Sequence, residues 1–158
     1  MDNFERAFAD LIDVEGGYTV DKGGPTRYGV TETVARQNGY YGDMREFPIQ
    51  KAKTIYAVQY WLVLFDQLPY PVAYQLFDAA VNSGLFQAVK WMQRALRVSP
   101  DGKIGPITTA AIKSCDPLRF VLLFNAARLE FMTGLSNWPD AGKGWSRRIA
   151  KNLRKGAE

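Results

Sequence analysis

Apolar residues recur at helical spacing along most of this chain, and this pattern constrains its fold more than any other feature. Phe4, Phe8, Leu11 and Ile12 fall on one face of a first helix, which should stop at Gly16 because glycine favours leaving a helix. The same spacing predicts further helices over residues 31–37, 49–65, 72–81, 86–96, 106–114 and 117–134, and a last one from residue 144. The predicted fold class is therefore all-α.

Residues 18–29 are the exception to this pattern. The segment is rich in glycine and contains Pro25, both of which interrupt helices. We expect a loop or a short hairpin here, so at most a small amount of strand accompanies the helices.

The chain has no histidine and one cysteine, Cys115. Histidine is the usual general base and the commonest protein ligand of catalytic zinc, so serine hydrolases, cysteine peptidases and histidine-ligated zinc enzymes are excluded. Catalysis must rest on carboxylates, lysine, tyrosine, hydroxyls or a bound cofactor. We expect no metal site, no cofactor and no intramolecular disulfide.

The charge is distributed unevenly along the chain. Residues 143–158 hold six basic residues and one acidic residue, whereas residues 1–21 are mainly acidic. A basic helix indicates an anionic polymer as partner: nucleic acid, anionic lipid, or wall and outer-membrane material. The plainer alternative is a solvated helix face.

The first residues lack the basic and apolar regions of a secretory signal. The longest apolar run, residues 60–65, is much shorter than the roughly 20 residues of a membrane span. We therefore expect synthesis in the cytoplasm, with another system providing release if the target lies outside the membrane.

Candidate catalytic groups concentrate around Glu15. A carboxylate at a helix end, followed by two glycines, can point into a cleft, where partial burial raises its pKa as a general acid requires. The return loop supplies a second carboxylate, Asp21, and a hydroxyl, Thr26. These three groups suffice for glycoside hydrolysis. The alternative is that Glu15 caps a helix and Asp21 makes a turn.

Longer strings extend this pattern over nearly the whole chain. They are EGGY at residues 15–18, DKGGPTRYGVT at 21–31, FDAAVNSG at 77–84, DGKIGP at 101–106 and GWSRRI at 144–149. Together they resemble glycoside hydrolase family 108, the N-acetylmuramidases of phage endolysins and bacterial secretion activators. In this chain the loop between Glu15 and Asp21 is shorter than in most members.

The resemblance implies a lysozyme-like helical fold with a catalytic lobe at residues 1–85 and a peptidoglycan-binding half at 86–158. It implies hydrolysis of the β-1,4 bond between N-acetylmuramic acid and N-acetylglucosamine, with Glu15 as general acid and Asp21 and Thr26 beside the scissile bond. Inversion and retention both stay open, since the sequence gives no distance between the carboxylates. Tyr18, Tyr28 and Asn82 are the candidate substrate-binding residues.

The expected partner is bacterial peptidoglycan, with contact to anionic outer-membrane or wall polymer through the last helix. We expect a monomer that does not bind nucleic acid, made in the host cytoplasm and acting in the periplasm or wall after export or holin-type release, for host lysis. Two alternatives stay open: a lytic transglycosylase using Glu15 alone, and a non-catalytic wall-binding protein.

Overall fold

The structure is a computed structural model that describes residues 2–158, except for the side chains of Val14 and Glu15. The described chain is helical, with one small antiparallel sheet, which confirms the predicted fold class. The helices are α1 (Asn3–Glu15), α2 (Glu32–Gln37), α3 (Ile49–Tyr60), α4 (Tyr70–Ser83), α5 (Leu85–Ala95), α6 (Pro106–Ser114), α7 (Pro117–Thr133) and α8 (Trp138–Gly156). The strands are β1 (Tyr18–Asp21), β2 (Gly24–Arg27) and β3 (Val30–Thr31), and 3-10 turns span Met44–Glu46 and Val63–Gln67.

The chain divides into two compact units, Met1–Trp61 and Leu62–Glu158. In the first unit α1 buries Phe8 and Leu11, and the Phe8 ring lies 5.7 Å from that of Tyr56 on α3. The strands lie in the order β1-β2-β3. Thr31 ends β3 and also caps α2, since its hydroxyl accepts a hydrogen bond from the Val34 amide at 3.3 Å. The sheet therefore runs directly into the next helix.

In the second unit α4 lies at the centre and packs against α5, α7 and α8. Every residue from Val72 to Ala80 is buried. Helices that are apolar on all sides occupy the middle of a domain, and α4 fits this rule except for its buried polar residues Gln75 and Asp78. Phe77, Trp91 and Phe124 form part of the core around it.

Two predicted helix boundaries were wrong. The helix expected over 49–65 ends at Tyr60, because the aromatic and β-branched run that follows has low helix propensity and turns to bury Phe65. The helix expected from residue 144 begins at Trp138, with Pro139 in its first turn. Gly142 does not break it: a Cβ there would lie 2.6 Å from the Trp138 ring, so the glycine permits close packing inside the helix.

In the sequence of the last helix, Trp145, Ile149 and Leu153 recur at four-residue spacing, which predicts an apolar stripe with the basic residues facing solvent around it. Ile149 is buried and Trp145 is half-buried as expected, but Leu153 is 38% exposed and is not part of an apolar stripe. Arg148 was predicted to face solvent with the other cations. Its guanidinium instead pairs with the buried Asp78 carboxylate at 2.9 Å.

Candidate active site

Glu15 is the last residue of α1, and two glycines connect it to the sheet. Gly16 closes the helix by donating to the Ile12 carbonyl at 2.7 Å, and Gly17 has a φ of +23°. Such a reversal suits glycine, which lacks the Cβ that hinders positive φ. The side chain of Glu15 lies outside the described residues, so its role as general acid stays a prediction.

Asp21 lies at the end of β1, in the turn to β2. One carboxylate oxygen, Oδ1, accepts a hydrogen bond from the Gly23 amide at 2.7 Å, which holds a two-residue turn between the paired residues Asp21 and Gly24. The side chain is exposed. Among the described residues Oδ2 accepts no hydrogen bond. Asp21 therefore makes the turn with one oxygen and leaves the other open.

The strand register places Thr26 and Asp21 on the same face of the sheet. Thr26 is paired with Thr19, and successive side chains of a strand point to opposite faces, so Thr19, Asp21 and Thr26 share one face. Asp21 and Thr26 are diagonal neighbours, whose Cβ atoms are about 7–8 Å apart in an antiparallel pair. Tyr18 is paired with Arg27 on the other face, so the structure does not place it beside Asp21.

Tyr28 forms the turn between β2 and β3 with Gly29. Both residues have positive φ, +52° and +72°, as a type I′ hairpin turn requires. Glycine or asparagine usually occupies the first of these positions, so Tyr28 holds its conformation at a cost. Two contacts fix it there: Tyr56 Oη donates to the Tyr28 carbonyl at 2.8 Å, and the Arg27 guanidinium lies 5.0 Å from the ring centroid.

Asn82 belongs to the second unit, near the end of α4. Its Oδ1 lies 3.5 Å from Arg128 Nη2 and 3.4 Å from Ser83 Oγ, both at the long end of hydrogen bonding. Within the described part of the chain its Nδ2 donates to no protein group. Asn82 is half-buried. The Nδ2 amide of Asn82 is thus available to donate a hydrogen bond. The role of Asn82 in substrate binding stays a prediction.

Comparison with known proteins adds the decisive observation. The chain is similar to a solved structure, SagA of Brucella abortus, with 31% sequence identity over 98% of this chain and 93% of that chain and a TM-score of 0.84. Residues 8–84 match the glycosyl hydrolase 108 family, and residues 87–150 match a predicted peptidoglycan domain family. No match was found among curated proteins.

The chain belongs to glycosyl hydrolase family 108. It is therefore a glycoside hydrolase of the lysozyme type that acts on peptidoglycan, and the expected lysozyme-like helical fold is confirmed.

This family 108 hydrolase also has a buried ionic cluster around Asp78 in α4, which its sequence patterns did not predict. The Asp78 carboxylate accepts hydrogen bonds from Arg128 Nη1 at 2.9 Å, from Arg148 Nε at 3.0 Å and from Asn152 Nδ2 at 2.6 Å. Burial raises the pKa of Asp78, but the two guanidinium charges and the hydrogen bonds outweigh it, so the pKa lies below its usual value. The one sequence signal was an aspartate inside an apolar helical run.

A second polar cluster holds the turn at residues 101–105. The buried Gln93 amide nitrogen donates to Asp101 Oδ1 at 2.9 Å and to the Lys103 carbonyl at 2.8 Å, and its oxygen accepts from the Gly102 amide at 2.8 Å. The Lys103 backbone amide and the Gln93 side chain hold the pKa of Asp101 below its usual value. These contacts give the DGKIGP segment of this family 108 protein a structural role, because Gln93 links the turn to α5.

In the part of this hydrolase that the structure describes, no helix is long and apolar enough to cross a membrane. No group of three or more histidine, cysteine, aspartate or glutamate side chains in that part is arranged to hold a metal ion.

Proposed function

We propose that this family 108 enzyme hydrolyses the β-1,4 bond between N-acetylmuramic acid and N-acetylglucosamine, with Glu15 as the general acid. The observation that carries the proposal is the connection of α1 to the sheet. Glu15 ends the helix, and β1 begins after only two glycines. Asp21 on β1 and Thr26 on β2 lie on the same face of the sheet. The backbone of Glu15 and the Asp21 carboxylate thus belong to consecutive elements of the first unit, which supports the proposal.

In the proposed reaction Glu15 donates its proton to the glycosidic oxygen as positive charge develops on the sugar ring. Asp21 Oδ2 accepts a proton from a water molecule that the Thr26 hydroxyl orients, and this water attacks the anomeric carbon from the opposite side. In this proposal the water lies between Asp21 and Thr26, which are diagonal neighbours on one face of the sheet. We propose inversion, which requires a separation of about 6.5–9.5 Å between the carboxyl groups of Glu15 and Asp21.

One observation favours the second candidate, a lytic transglycosylase. Asp21 Oδ1 accepts a hydrogen bond from the Gly23 amide, and an aspartate that only stabilised the turn would make the same hydrogen bond. In that reaction Glu15 acts alone, and the muramic acid 6-hydroxyl replaces water, giving a 1,6-anhydro product.

Mass spectrometry of muropeptides released from purified sacculi distinguishes these reactions. We expect reducing ends. Anhydro ends would establish the transglycosylase, and no release would establish a non-catalytic wall-binding protein. Glu15→Gln is the control, because the amide keeps the side-chain shape but cannot donate the proton. Its activity should fall by about 10²–10⁴-fold with unchanged melting temperature. Activity within about threefold of wild type would remove Glu15 from the acid role.

We further propose that the enzyme acts as a monomer on the wall, outside the cytoplasmic membrane, and serves host lysis. Residues 1–85 would provide catalysis and residues 86–158 the wall contact. Production in a bacterial host tests the release step. Cells should stay intact when the enzyme is made alone and lyse when a holin-type pore is made with it. Lysis without the pore would show that the enzyme crosses the membrane by another route.

A further inference from the structure

A groove on the second unit lies between the end of α5 and the helices α6 and α7. It consists of two adjoining cavities of about 280 and 610 Å³, which share Ala95, Arg97 and Leu123 in their linings. Apolar side chains form much of the lining: Ala95, Leu96, Phe120, Leu123, Ala127 and Phe131. All of the residues that line the groove belong to the second unit.

Three arginines, Arg94, Arg97 and Arg119, line this groove. All three are exposed, and within residues 2–158 as described none of their guanidinium groups has a hydrogen bond or ion pair with the protein. Two acidic residues, Asp116 and Glu130, also line it. The groove thus combines an apolar lining with an excess of unneutralised positive charge.

Arg97 adopts a backbone conformation that normally favours glycine. It has a φ of +58° and occupies the position after the last turn of α5. Its amide bonds the Arg94 carbonyl at 3.1 Å, and the Val98 amide bonds the Gln93 carbonyl at 3.0 Å, which together form a Schellman motif.

The end of α2 provides a comparison within the same chain. The Tyr40 amide bonds the Ala35 carbonyl and the Gly39 amide bonds the Arg36 carbonyl, both at 3.0 Å, so the motif is the same. The left-handed position is there occupied by Gly39, with a φ of +80°. Arg97 therefore occupies a backbone position at which glycine would be less strained. Backbone strain of this kind is concentrated at functional sites.

We propose that this groove binds the peptide stem of peptidoglycan. The inference deepens the proposed function, since it presupposes that the enzyme acts on peptidoglycan. A stem peptide carries several carboxylates, which suit the arginines, and alanine methyl groups, which suit the apolar lining. Its diamino acid carries an ammonium group, for which Glu130 offers a carboxylate. Arginine binds carboxylates with two parallel hydrogen bonds, so the arginines orient the stem as well as attract it.

Calorimetry with the free tetrapeptide L-Ala-γ-D-Glu-meso-diaminopimelate-D-Ala and the full chain tests the proposal. Arg97→Gly and Arg119→Gln should each weaken binding about tenfold, the loss expected for a charge-assisted hydrogen bond. Arg97→Gly also removes backbone strain, so weaker binding by this variant is not explained by unfolding. Lys113→Gln, an equal loss of charge on α6 outside the groove lining, should bind like wild type.

Cys115 offers a second measurement, because it is the single cysteine of the chain and lines the groove. Burial raises the pKa of its thiol, so labelling with a maleimide is done at mildly alkaline pH. The tetrapeptide should slow labelling of the wild type, and should slow it less in Arg119→Gln.

Unchanged tetrapeptide affinity in both arginine variants would overturn the proposal. Equal protection of Cys115 by polyglutamate at the same carboxylate concentration would also overturn it, by showing a general anion site. Hydrolysis of stem-free glycan by the wild-type chain is measured separately. If that activity is absent while the tetrapeptide binds, the proposed hydrolysis is wrong, whereas the proposal that the groove binds the peptide stem is supported.

Discussion

Two groups on one face of the sheet, the Asp21 carboxylate and the Thr26 hydroxyl, have separable parts in the proposed reaction. Asp21→Asn keeps an oxygen that accepts from the Gly23 amide, so the turn and the melting temperature should be preserved. The amide cannot accept a proton from water, and we expect kcat to fall about 10²–10⁴-fold. Thr26→Ala removes one orienting hydrogen bond and should cost about tenfold. Initial rates of reducing-end release measure both effects.

The Asp21 prediction has a clear opposite outcome. If Asp21→Asn and Thr26→Ala are both as active as wild type, no second carboxylate takes part, and the transglycosylase becomes the better description. Asp21→Ala is a useful companion, because it removes the turn hydrogen bond as well. A lower melting temperature in Asp21→Ala but not in Asp21→Asn would separate the structural oxygen from the reactive one.

The sequence predicts the local turns around the candidate site, but it does not predict on which face of the sheet the side chains lie. The glycines around Glu15 and Asp21 predicted a reversal and a hairpin correctly, because these conformations are local. Tyr18 is a candidate substrate-binding residue by its position in the chain, and the strand register places it on the opposite face of the sheet from Asp21 and Thr26. Register depends on pairing with a second strand, and no single segment of sequence specifies it.

At the scale of elements, one carboxylate joins three helices: Asp78 on α4 binds Arg128 on α7 and both Arg148 and Asn152 on α8. Asp78→Asn leaves the buried Arg128 guanidinium and the half-buried Arg148 guanidinium without a counter-charge. We expect a loss of about 3–5 kcal/mol, which lowers the melting temperature by about 10 °C. Asp140→Asn, an exposed change at the start of α8, should cost at most about 1 kcal/mol. Denaturant unfolding of both variants measures the difference.

The same carboxylate predicts a pH dependence. Its pKa is lower in the folded protein than the usual value of 3.8, so the unfolded chain binds the proton more readily. The stability that Asp78 contributes is therefore complete above the unfolded pKa and is lost as the pH falls through the folded one. Unfolding free energies between about pH 5 and pH 2 should fall less steeply in Asp78→Asn than in wild type. Parallel profiles would show that the pKa of Asp78 does not differ between the folded and the unfolded chain.

The two Schellman motifs predict stability changes of opposite sign. Arg97→Gly relieves the left-handed strain but loosens the unfolded chain, for a net gain of about 0.5–1 kcal/mol, or about 2 °C in melting temperature. Gly39→Ala imposes the strain and should cost about 1 kcal/mol, since no atom lies within 4 Å of the added Cβ to compensate or clash. Thermal melts check both. A loss of stability in Arg97→Gly would mean that the arginine side chain packs favourably in the free protein.

Local sequence patterns predict a helix boundary only where nearby residues determine it. The span of α6 was predicted correctly because Pro106 fixes its start within the local sequence. The start of α8 was wrong because Gly142 and Gly144 resemble a break. Only contact with the Trp138 ring explains why the first of them lies inside a helix. The Asp78 cluster was missed for a related reason, since its partners lie 50 and more residues away in the chain.

At the scale of the whole molecule, the net charge of +4 is concentrated in part on one face of α8. Lys143, Arg147 and Arg154 are exposed, and their spacing of four and seven residues places them together; we call them the basic face. Each cation contributes about 1 kcal/mol near an anionic surface. The double variant Arg147→Gln with Arg154→Gln should keep its melting temperature and bind cells more weakly at low salt.

Salt provides the control for the basic face, because the Debye length shortens from about 30 Å at 0.01 M to about 8 Å at 0.15 M. The difference between wild type and the double variant should shrink over this range in a cell-sedimentation assay. Lys113→Gln, a single exposed cation on α6, should have a smaller effect than the pair. If both proteins sediment with cells equally at every salt concentration, α8 has a packing role alone.

Arg97 also bears on how this sequence is maintained over generations. Any arginine codon becomes a glycine codon by a change of its first base, so the less strained residue is always within reach of mutation. Natural selection tolerates small losses of stability and acts on activity. A mutant library at position 97 should therefore distinguish selection for stability from selection for activity. Selection for heat resistance should enrich glycine, and selection for digestion of whole cell walls should enrich arginine.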